Sequence, residues 1–393
     1  MHLAFTPEQD ALRKELRSYF AELMTPERRA DLSTEDGEYG GGEAYRELVA
    51  RMGADGWLTL GWPVEHGGQG RPMIEQLIFA DEAAAAGAPV PFLTINTVGP
   101  TIMRFGTPEQ REFFLPRIAR GELHFSIGYS EPEAGTDLAS LRTRALRVRG
   151  EGEAGGDFVI NGQKMWTSLI RHADYVWLAA RTDPDAPPHR GISILVVPTS
   201  SEGFSFTPVR TVAGVTTSAT YYSDVRVPAS ALVGEENRGW ALITNQLNHE
   251  RVALTSAAPL FTALREVRDW AAGTGALERE WVRVHLARVH AKAEVLKLMN
   301  WRIAASEGEA PRPADASATK VYGTELATEA YRLLMEVLGP SACVRGGSPG
   351  DVLRGRIERM HRAALILTFG GGTNEVQRDI IAAAALGLPI SRR

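Results

Sequence analysis

Two runs decide how the rest of this chain is read: Tyr129-Ser130-Glu131-Pro132-Glu133-Ala134-Gly135-Thr136-Asp137 and Asn161-Gly162-Gln163-Lys164-Met165-Trp166-Thr167-Ser168. The first leaves a short apolar strand over residues 125–129 and enters a loop. In that loop Pro removes a backbone donor, Gly permits positive φ, and Ser and Thr present hydroxyls. The second pairs Asn with Gly, the strongest short hairpin signal, and sets a Trp between a Met and two hydroxyl residues. An indole beside hydroxyls suits a flat heteroaromatic ring. Taken singly, each run reads as readily as a proline turn and a hairpin.

Around these runs the sequence divides into three parts. Thr6-Pro7-Glu8-Gln9 and Thr107-Pro108-Glu109-Gln110 are matching helix starts, with Thr as N-cap, Pro at the first helical position and Gln three residues after the cap. Leu12, Leu16, Tyr19, Phe20 and Leu23 follow the first at helical spacing. The Gly-rich residues 37–42 predict a mobile loop before a helix over residues 43–52. Another helix carries Ile74, Leu77, Ile78 and the alanines at 83–86. From residue 125 to about 233 the period changes to β-branched and aromatic runs at 175–179, 192–197 and 219–227. Helical periods return after Gly239, near 240–272, 277–306, 314–338 and 373–386. The expected class is therefore α+β, with a helical domain over 1–122, a β domain over 123–235 and a helical bundle over 236–393. No Gly-x-Gly-x-x-Gly follows a strand and no Walker lysine loop is present, so neither a Rossmann nor a P-loop reading has support.

The chain's 393 residues are 44% hydrophobic and 23% charged, with a net charge of −5 and no block of like charge. Such a chain buries a large core, and nothing in the balance points to nucleic acid or a membrane surface. Cys343 is the only cysteine, which excludes an intrachain disulfide and disfavours a cysteine metal site. The histidines show no His-Glu-x-x-His spacing. With no basic leader and no apolar run near ~20 residues, cytoplasm is the expected location and small-molecule chemistry the expected work.

One carboxylate stands out. Trp240, Ile243, Leu247, Leu254 and Phe261 advance by three, four or seven residues and draw an apolar stripe, on which Glu250 sits. A carboxylate facing a core loses hydration unless it is paired, hydrogen-bonded or protonated, and a raised pKa suits a general base. The structural alternative is neutralisation by Arg251 or another basic group, although successive helical residues point about 100° apart. His249, off the stripe, is the rival base. Near the C-terminus, Gly370-Gly371-Gly372-Thr373 place a flexible turn and an N-cap ahead of Val376, Ile380 and Ile381, where exposed amides favour anionic groups. A plain glycine link between helices explains the same residues equally well.

Together, in this order, these runs resemble the acyl-CoA dehydrogenase family over nearly the whole chain. The resemblance implies FAD, with Ile127, Tyr129, Ser130, Trp166 and Ser168 lining its ring and Gly372, Thr373 and Glu375 on its adenosine side. It implies that Thr136 bonds the CoA pantetheine arm, that Arg251 sits near the thioester and that the Gly371 N–H polarises the thioester carbonyl. In one branch of the family the α-proton is removed by a Glu in a Glu-Arg pair, which Glu250-Arg251 matches. The other branch carries its Glu where this chain has Gly371. An acyl-CoA substrate, an electron-transferring flavoprotein as acceptor and a homo- or heterotetramer follow from the same resemblance.

Three departures qualify it. The Arg-x-x-Phe-Gly pattern is missing from residues 268–277, Glu336 replaces a Gln, and Thr216 replaces an Arg. With Glu250 and the Gly-Gly-Gly-Thr loop, these departures resemble the subunits of actinobacterial steroid side-chain enzymes, in which two unlike chains share the flavin sites. Two other readings remain at this stage: a partner subunit without independent activity, and a reduced-flavin monooxygenase on the same fold.

Overall fold

The computed structural model describes residues 3–34, 42–148, 156–244, 255–305, 312–344 and 352–389. Helices α1 (Pro7–Leu23), α2 (Pro26–Thr34), α3 (Gly42–Ala54), α4 (Met73–Ala86), α5 (Gly99–Phe105) and α6 (Pro108–Ala119) precede the sheet. Both expected helix starts form reciprocal capping boxes. The Gln9 N–H donates to Thr6 Oγ1 at 3.3 Å and the Thr6 N–H to Gln9 Oε1 at 3.0 Å; Thr107 and Gln110 repeat the pattern at 3.2 and 3.1 Å. Gln110 does more than cap, because its Nε2 donates to the carbonyls of Ser230 and Leu232 at 2.7 and 2.8 Å and so ties α6 to the end of the sheet. The mobile loop expected at 37–42 lies mostly outside the described residues.

The sheet is mixed, with order β6 (Phe204–Arg210), β7 (Thr216–Val227), β3 (Asp157–Lys164), β2 (Arg144–Val148), β4 (Tyr175–Arg181), β5 (Ile192–Pro198), β8 (Leu232–Val233). Strand β1 (Phe125–Gly128) pairs in parallel with β4. The central strands are apolar on both faces, since successive side chains alternate across the sheet. Trp177, Ala179, Ile192, Ile194 and Val196 join the core shared with α1–α6. Val176, Leu178, Ala180, Leu195 and Val197 join a separate core on the opposite face. Phe114 of α6 meets Phe125 and Tyr175 edge-on, which extends the helical core onto β1 and β4.

Asn161-Gly162 corrects one expectation: it is not a hairpin turn. It lies inside β3, where the register with β7 shifts between Ile160 and Gly162. Strand β7 pairs with β3 on both sides of this point and β2 pairs up to Asn161, so the ladder overrides the local turn preference and the dipeptide becomes a bulge. Asn161 stabilises it by donating to Asp224 Oδ1 at 2.9 Å and accepting the Asp224 N–H at 3.0 Å. Gly162 has φ 149°, and a Cβ there would lie 2.6 Å from Thr143 Oγ1.

The C-terminal part is built from α7 (Ala258–Gly273), α8 (Glu280–Ala304), α9 (Pro313–Leu338) and α10 (Val352–Leu367) around one core, with α11 (Asn374–Leu386) packed against α9. A single helix over 240–272 is not found. Residues 239–244 are helical, but residues 255–257 are not, and a new helix starts at Ala258 with Pro259 in its first turn. Pro fits an N-terminus and breaks a helix interior, and Ser256 Oγ accepts the Ala258 N–H at 3.0 Å. The apolar stripe therefore serves two cores, with Trp240 and Ile243 packed against the helix-and-sheet core and Phe261 against the bundle. Helix α10 is an element that the apolar periods did not announce. Replacing Gly162 by Ala is expected to lower stability by about 1–3 kcal/mol, against about 1 kcal/mol for Thr107→Ala. Denaturant midpoints of the two variants check this order.

Candidate active site

The loop after β1 is closed by an ion pair that is almost completely buried. Lys164, 0% exposed, ends β3 and donates to Glu131 Oε1 at 2.8 Å and to the Tyr129 carbonyl at 2.9 Å. Glu131 also accepts the N–H groups of Arg142 and Thr143 at 2.7 and 2.8 Å, and its own backbone pairs with Ala134 across the Pro132-Glu133 turn. Burial raises the pKa of Glu131, but the Lys164 charge and these donors outweigh it, so the carboxyl ends below its ordinary value. Burial pulls Lys164 down to about 8.

This pair brings two backbones side by side. The Met165 N–H donates to the Ser130 carbonyl at 2.8 Å and the Thr167 N–H to the Ser218 carbonyl at 2.9 Å. Between them Trp166 is held at φ 65° with its side chain largely in solvent, at 56% exposure. A bulky residue in the left-handed region is a genuine outlier, of the kind that persists only where its surroundings over-determine it. Leu169, three residues on, has φ 66°. Hydroxyls line the same turn: Ser168 Oγ and Thr217 Oγ1 are 3.0 Å apart, and Ser126 Oγ donates to the Ser168 carbonyl at 2.8 Å. Tyr129 OH accepts from the buried Trp177 indole at 3.1 Å. The structure thus brings Ile127, Tyr129, Ser130, Trp166 and Ser168 together, with Ile127, Tyr129, Ser130 and Ser168 half-buried.

A second cluster forms where α10 meets α11. Lys320, 1% exposed, donates to the carbonyls of Thr368 and Gly372 at 3.2 and 2.9 Å and to Asn374 Oδ1 at 2.8 Å. The Thr373 hydroxyl caps α11 by accepting the Val376 N–H at 3.2 Å, and Gln377 Nε2 donates to the Gly371 carbonyl at 3.2 Å. Gly371 and Gly372 both have positive φ, and a Cβ on Gly372 would press to 2.7 Å from Gln377 Nε2. Glu375 lies in the exposed first turn of α11, where the helix-start amides and Thr373 lower its pKa. Thr136 is exposed farther along the first loop. Glu250, Arg251 and His249 lie outside the described residues.

Sequence reasoning missed Lys164, Lys320 and Thr217. Lys320 had a signal of the kind that singled out Glu250, since it shares a helix face with the buried Ala316 and Thr324 at spacing four. The Lys164–Glu131 pairing had no local signal, because its partners are 33 residues apart.

Family models match along almost the whole chain: Acyl-CoA dehydrogenase, N-terminal domain, over residues 6–122, the middle domain over 126–226 and the C-terminal domain over 237–386. The chain belongs to the acyl-CoA dehydrogenase family. It is an oxidoreductase of a family that is generally flavin-dependent. This acyl-CoA dehydrogenase is 68% identical to acyl-CoA dehydrogenase FadE26 of Mycobacterium tuberculosis, over 100% of both chains. It is 45% identical to FadE29 of the same organism, over 99% of each. Among solved structures it resembles a chain of the ChsE4-ChsE5 complex from Mycobacterium tuberculosis, with 68% identity, TM-score 0.91, and 99% and 100% of the two chains covered. It also resembles the Tcur3481-Tcur3483 steroid ACAD, with 49% identity, TM-score 0.93 and both chains covered completely. Among the described residues of this acyl-CoA dehydrogenase, no helix is long and apolar enough to cross a membrane, and no cluster of ligands could hold a metal ion.

Replacing Lys164 by Met leaves Glu131 buried without its cation, and is expected to cost about 3–5 kcal/mol. Glu131→Gln in the same chain should recover part of that loss, as read by denaturant midpoints. Because the folded carboxyl sits below its ordinary 4.5, its stabilising contribution is complete above that pH and is lost as pH falls through the folded value. The Lys164→Met variant should show a shallower acid limb than the parent.

Proposed function

We propose that this chain carries out FAD-dependent α,β-dehydrogenation of an acyl-CoA thioester to the trans-2-enoyl-CoA. The observation that carries the reading is the exposed Trp166 indole, held at positive φ beside the Ser168–Thr217 hydroxyls and Tyr129. A strained, solvent-facing aromatic next to paired hydroxyls fits a flat heteroaromatic ring with a polar rim. Ile127, Tyr129, Ser130, Trp166 and Ser168 would line the flavin ring, while Gly372, Thr373 and Glu375 would serve the adenosine side. When bound, FAD supplies the acceptor for the β-hydrogen, which leaves as hydride.

The remaining steps belong to the chain itself. Glu250 takes the α-proton onto its carboxylate as the general base. The Gly371 N–H donates to the thioester carbonyl, and its positive φ is fixed by the turn that Lys320 and Gln377 hold. The Thr136 hydroxyl bonds the pantetheine arm, and Arg251 stands near the thioester. The electrons pass on to an electron-transferring flavoprotein in the cytoplasm. The ChsE4-ChsE5 and Tcur3481-Tcur3483 names each pair two polypeptides, and the second is called a steroid enzyme. By extension, this chain assembles with an unlike subunit into a tetramer and acts on a steroid side-chain acyl-CoA.

Anaerobic titration with steroid, long-chain and short-chain acyl-CoAs tests this reading. The flavin absorbance of the parent protein should bleach with one class. Glu250→Gln should slow bleaching by on the order of 10²–10⁴-fold while the flavin stays bound. Undiminished bleaching in that variant would remove Glu250 from the reaction. A bound flavin that no acyl-CoA bleaches would count against the dehydrogenase reading. Flavin retained by the isolated chain as fully as by the co-expressed pair would count against the unlike partner.

A further inference from the structure

The two clusters of the candidate site stand on different parts of the fold. Ser168 and Thr217 belong to the sheet side, and the turn from Gly370 to Thr373 follows helix α10 of the bundle. Among the described residues no hydrophobic core joins the strands to α7–α11. The strands share one core with α1–α6 and hold a second of their own, while the bundle helices close around another. Apolar burial therefore does not set the separation of the two walls.

A polar contact ties them. Arg362 of α10 donates through Nε and Nη2 to the two oxygens of Glu358, one helical turn earlier, at 2.6 and 3.0 Å. This fork fixes the guanidinium plane and leaves Nη1, which donates to the Val212 carbonyl at 2.6 Å. Val212 lies in the turn between β6 and β7, and that turn is internally braced. Thr211 donates to the Val215 carbonyl through its hydroxyl at 2.7 Å and its N–H at 3.2 Å, and the Gly214 N–H donates to the Thr211 carbonyl at 3.1 Å. Gly214 has φ 82°, and a Cβ there would stand 2.9 Å from Arg362 Nη1, so the guanidinium is seated against bare backbone.

Both ends of this contact lead into the site. Thr217 is the second residue of β7, pairs with Val209 of β6 and carries the hydroxyl that meets Ser168 Oγ. On the other side α10 continues past Arg362 to Thr368 and Gly370, whose N–H groups bond back to the Leu365 and Ile366 carbonyls at 3.3 and 2.9 Å, directly ahead of Gly371. We infer that Arg362 is a positioning residue for the cofactor: by latching the β6–β7 turn to α10, it holds the sheet wall and the bundle wall at the separation a bound flavin needs. The inference rests on the FAD reading of the site. A cleft fixed before its ligand arrives binds without the cost of ordering two separate walls, so the latch acts on flavin affinity through the walls it joins.

Titration of the flavin-stripped protein with FAD, with its partner subunit where flavin retention requires one, tests this without relying on turnover. Quenching of FAD fluorescence gives the affinity, and visible circular dichroism reports the surroundings of the bound ring. Arg362→Met should weaken FAD binding by about tenfold or more, as loss of one charge-assisted bond entails, and should alter the dichroism. Gly214→Ala presses a methyl group on Nη1 while leaving the Arg362–Glu358 pair in place, and should shift both readouts in the same direction. Because the two substitutions break one latch, the double variant should bind FAD within about twofold of Arg362→Met alone. A merely structural role would instead give losses that add, and that result would overturn the inference. Affinity within about twofold of the parent in both single variants would overturn it too, while leaving the FAD reading intact. Should Arg362→Met not fold, Gly214→Ala decides alone: weakened binding with altered dichroism supports the latch, and parent-like behaviour overturns it. A parent protein that takes up no flavin, alone or with its partner, removes the FAD reading and this inference with it.

Discussion

The geometry of the site depends on a lysine and a glutamate that meet out of water. Removing Lys164 and Glu131 from solvent costs each several kcal/mol of hydration, and their attraction offsets this only because other donors and acceptors complete the arrangement. Glu131 has two backbone N–H groups besides the ammonium, and Lys164 has the Tyr129 carbonyl. A pair satisfied in this way tolerates one arrangement of the loop and penalises the others. That is how two separate stretches come to present Tyr129, Ser130 and Trp166 in one place. Lys320 performs a similar task in the bundle, gathering the acceptors of the Gly-rich turn so that Gly371 and Gly372 keep a conformation that L side chains rarely adopt.

The rigidity behind these loops comes from the sheet. Strands β4 and β5 are buried on both faces, between the helical core and a smaller core on the other side. Gln110 couples α6 to the end of the sheet, and the Phe114, Phe125 and Tyr175 rings continue the packing onto β1. Displacing the wall that carries Tyr129 would therefore disturb two cores at once. Strain at Trp166 can be sustained at such a place because the residues on either side of it are already held by hydrogen bonds to the first loop and to β7.

Much of the fold was legible because its signals are local. Capping boxes act within four residues, and strand and helix periods act within a dozen, so the helix starts at Thr6 and Thr107 and the strands at 175, 192 and 219 follow from side-chain chemistry alone. The errors fall where neighbours in space outvote neighbours in sequence. Asn161-Gly162 prefers a turn in isolation, yet β7 pairs on both sides of it and β2 reaches it at Asn161. The stripe from Trp240 to Phe261 has a helical period, but Pro259 and the Ser256 cap divide it between two cores. Helix α10 buries only Gly355, Ile357 and Ala364, too thin an apolar face to announce itself among arginines.

The amino-acid sequence by itself determined the three-part order of helices, sheet and helices, the two site loops and the family to which they belong, because those properties reside in residue types at short separations. Only the tertiary structure decided what holds the loops: the Lys164–Glu131 pair, the Lys320 clasp and the Ser168–Thr217 contact. These join residues many positions apart. A buried charge selects its partner by the free energy of leaving water, and that energy is defined only once the whole chain has closed around it.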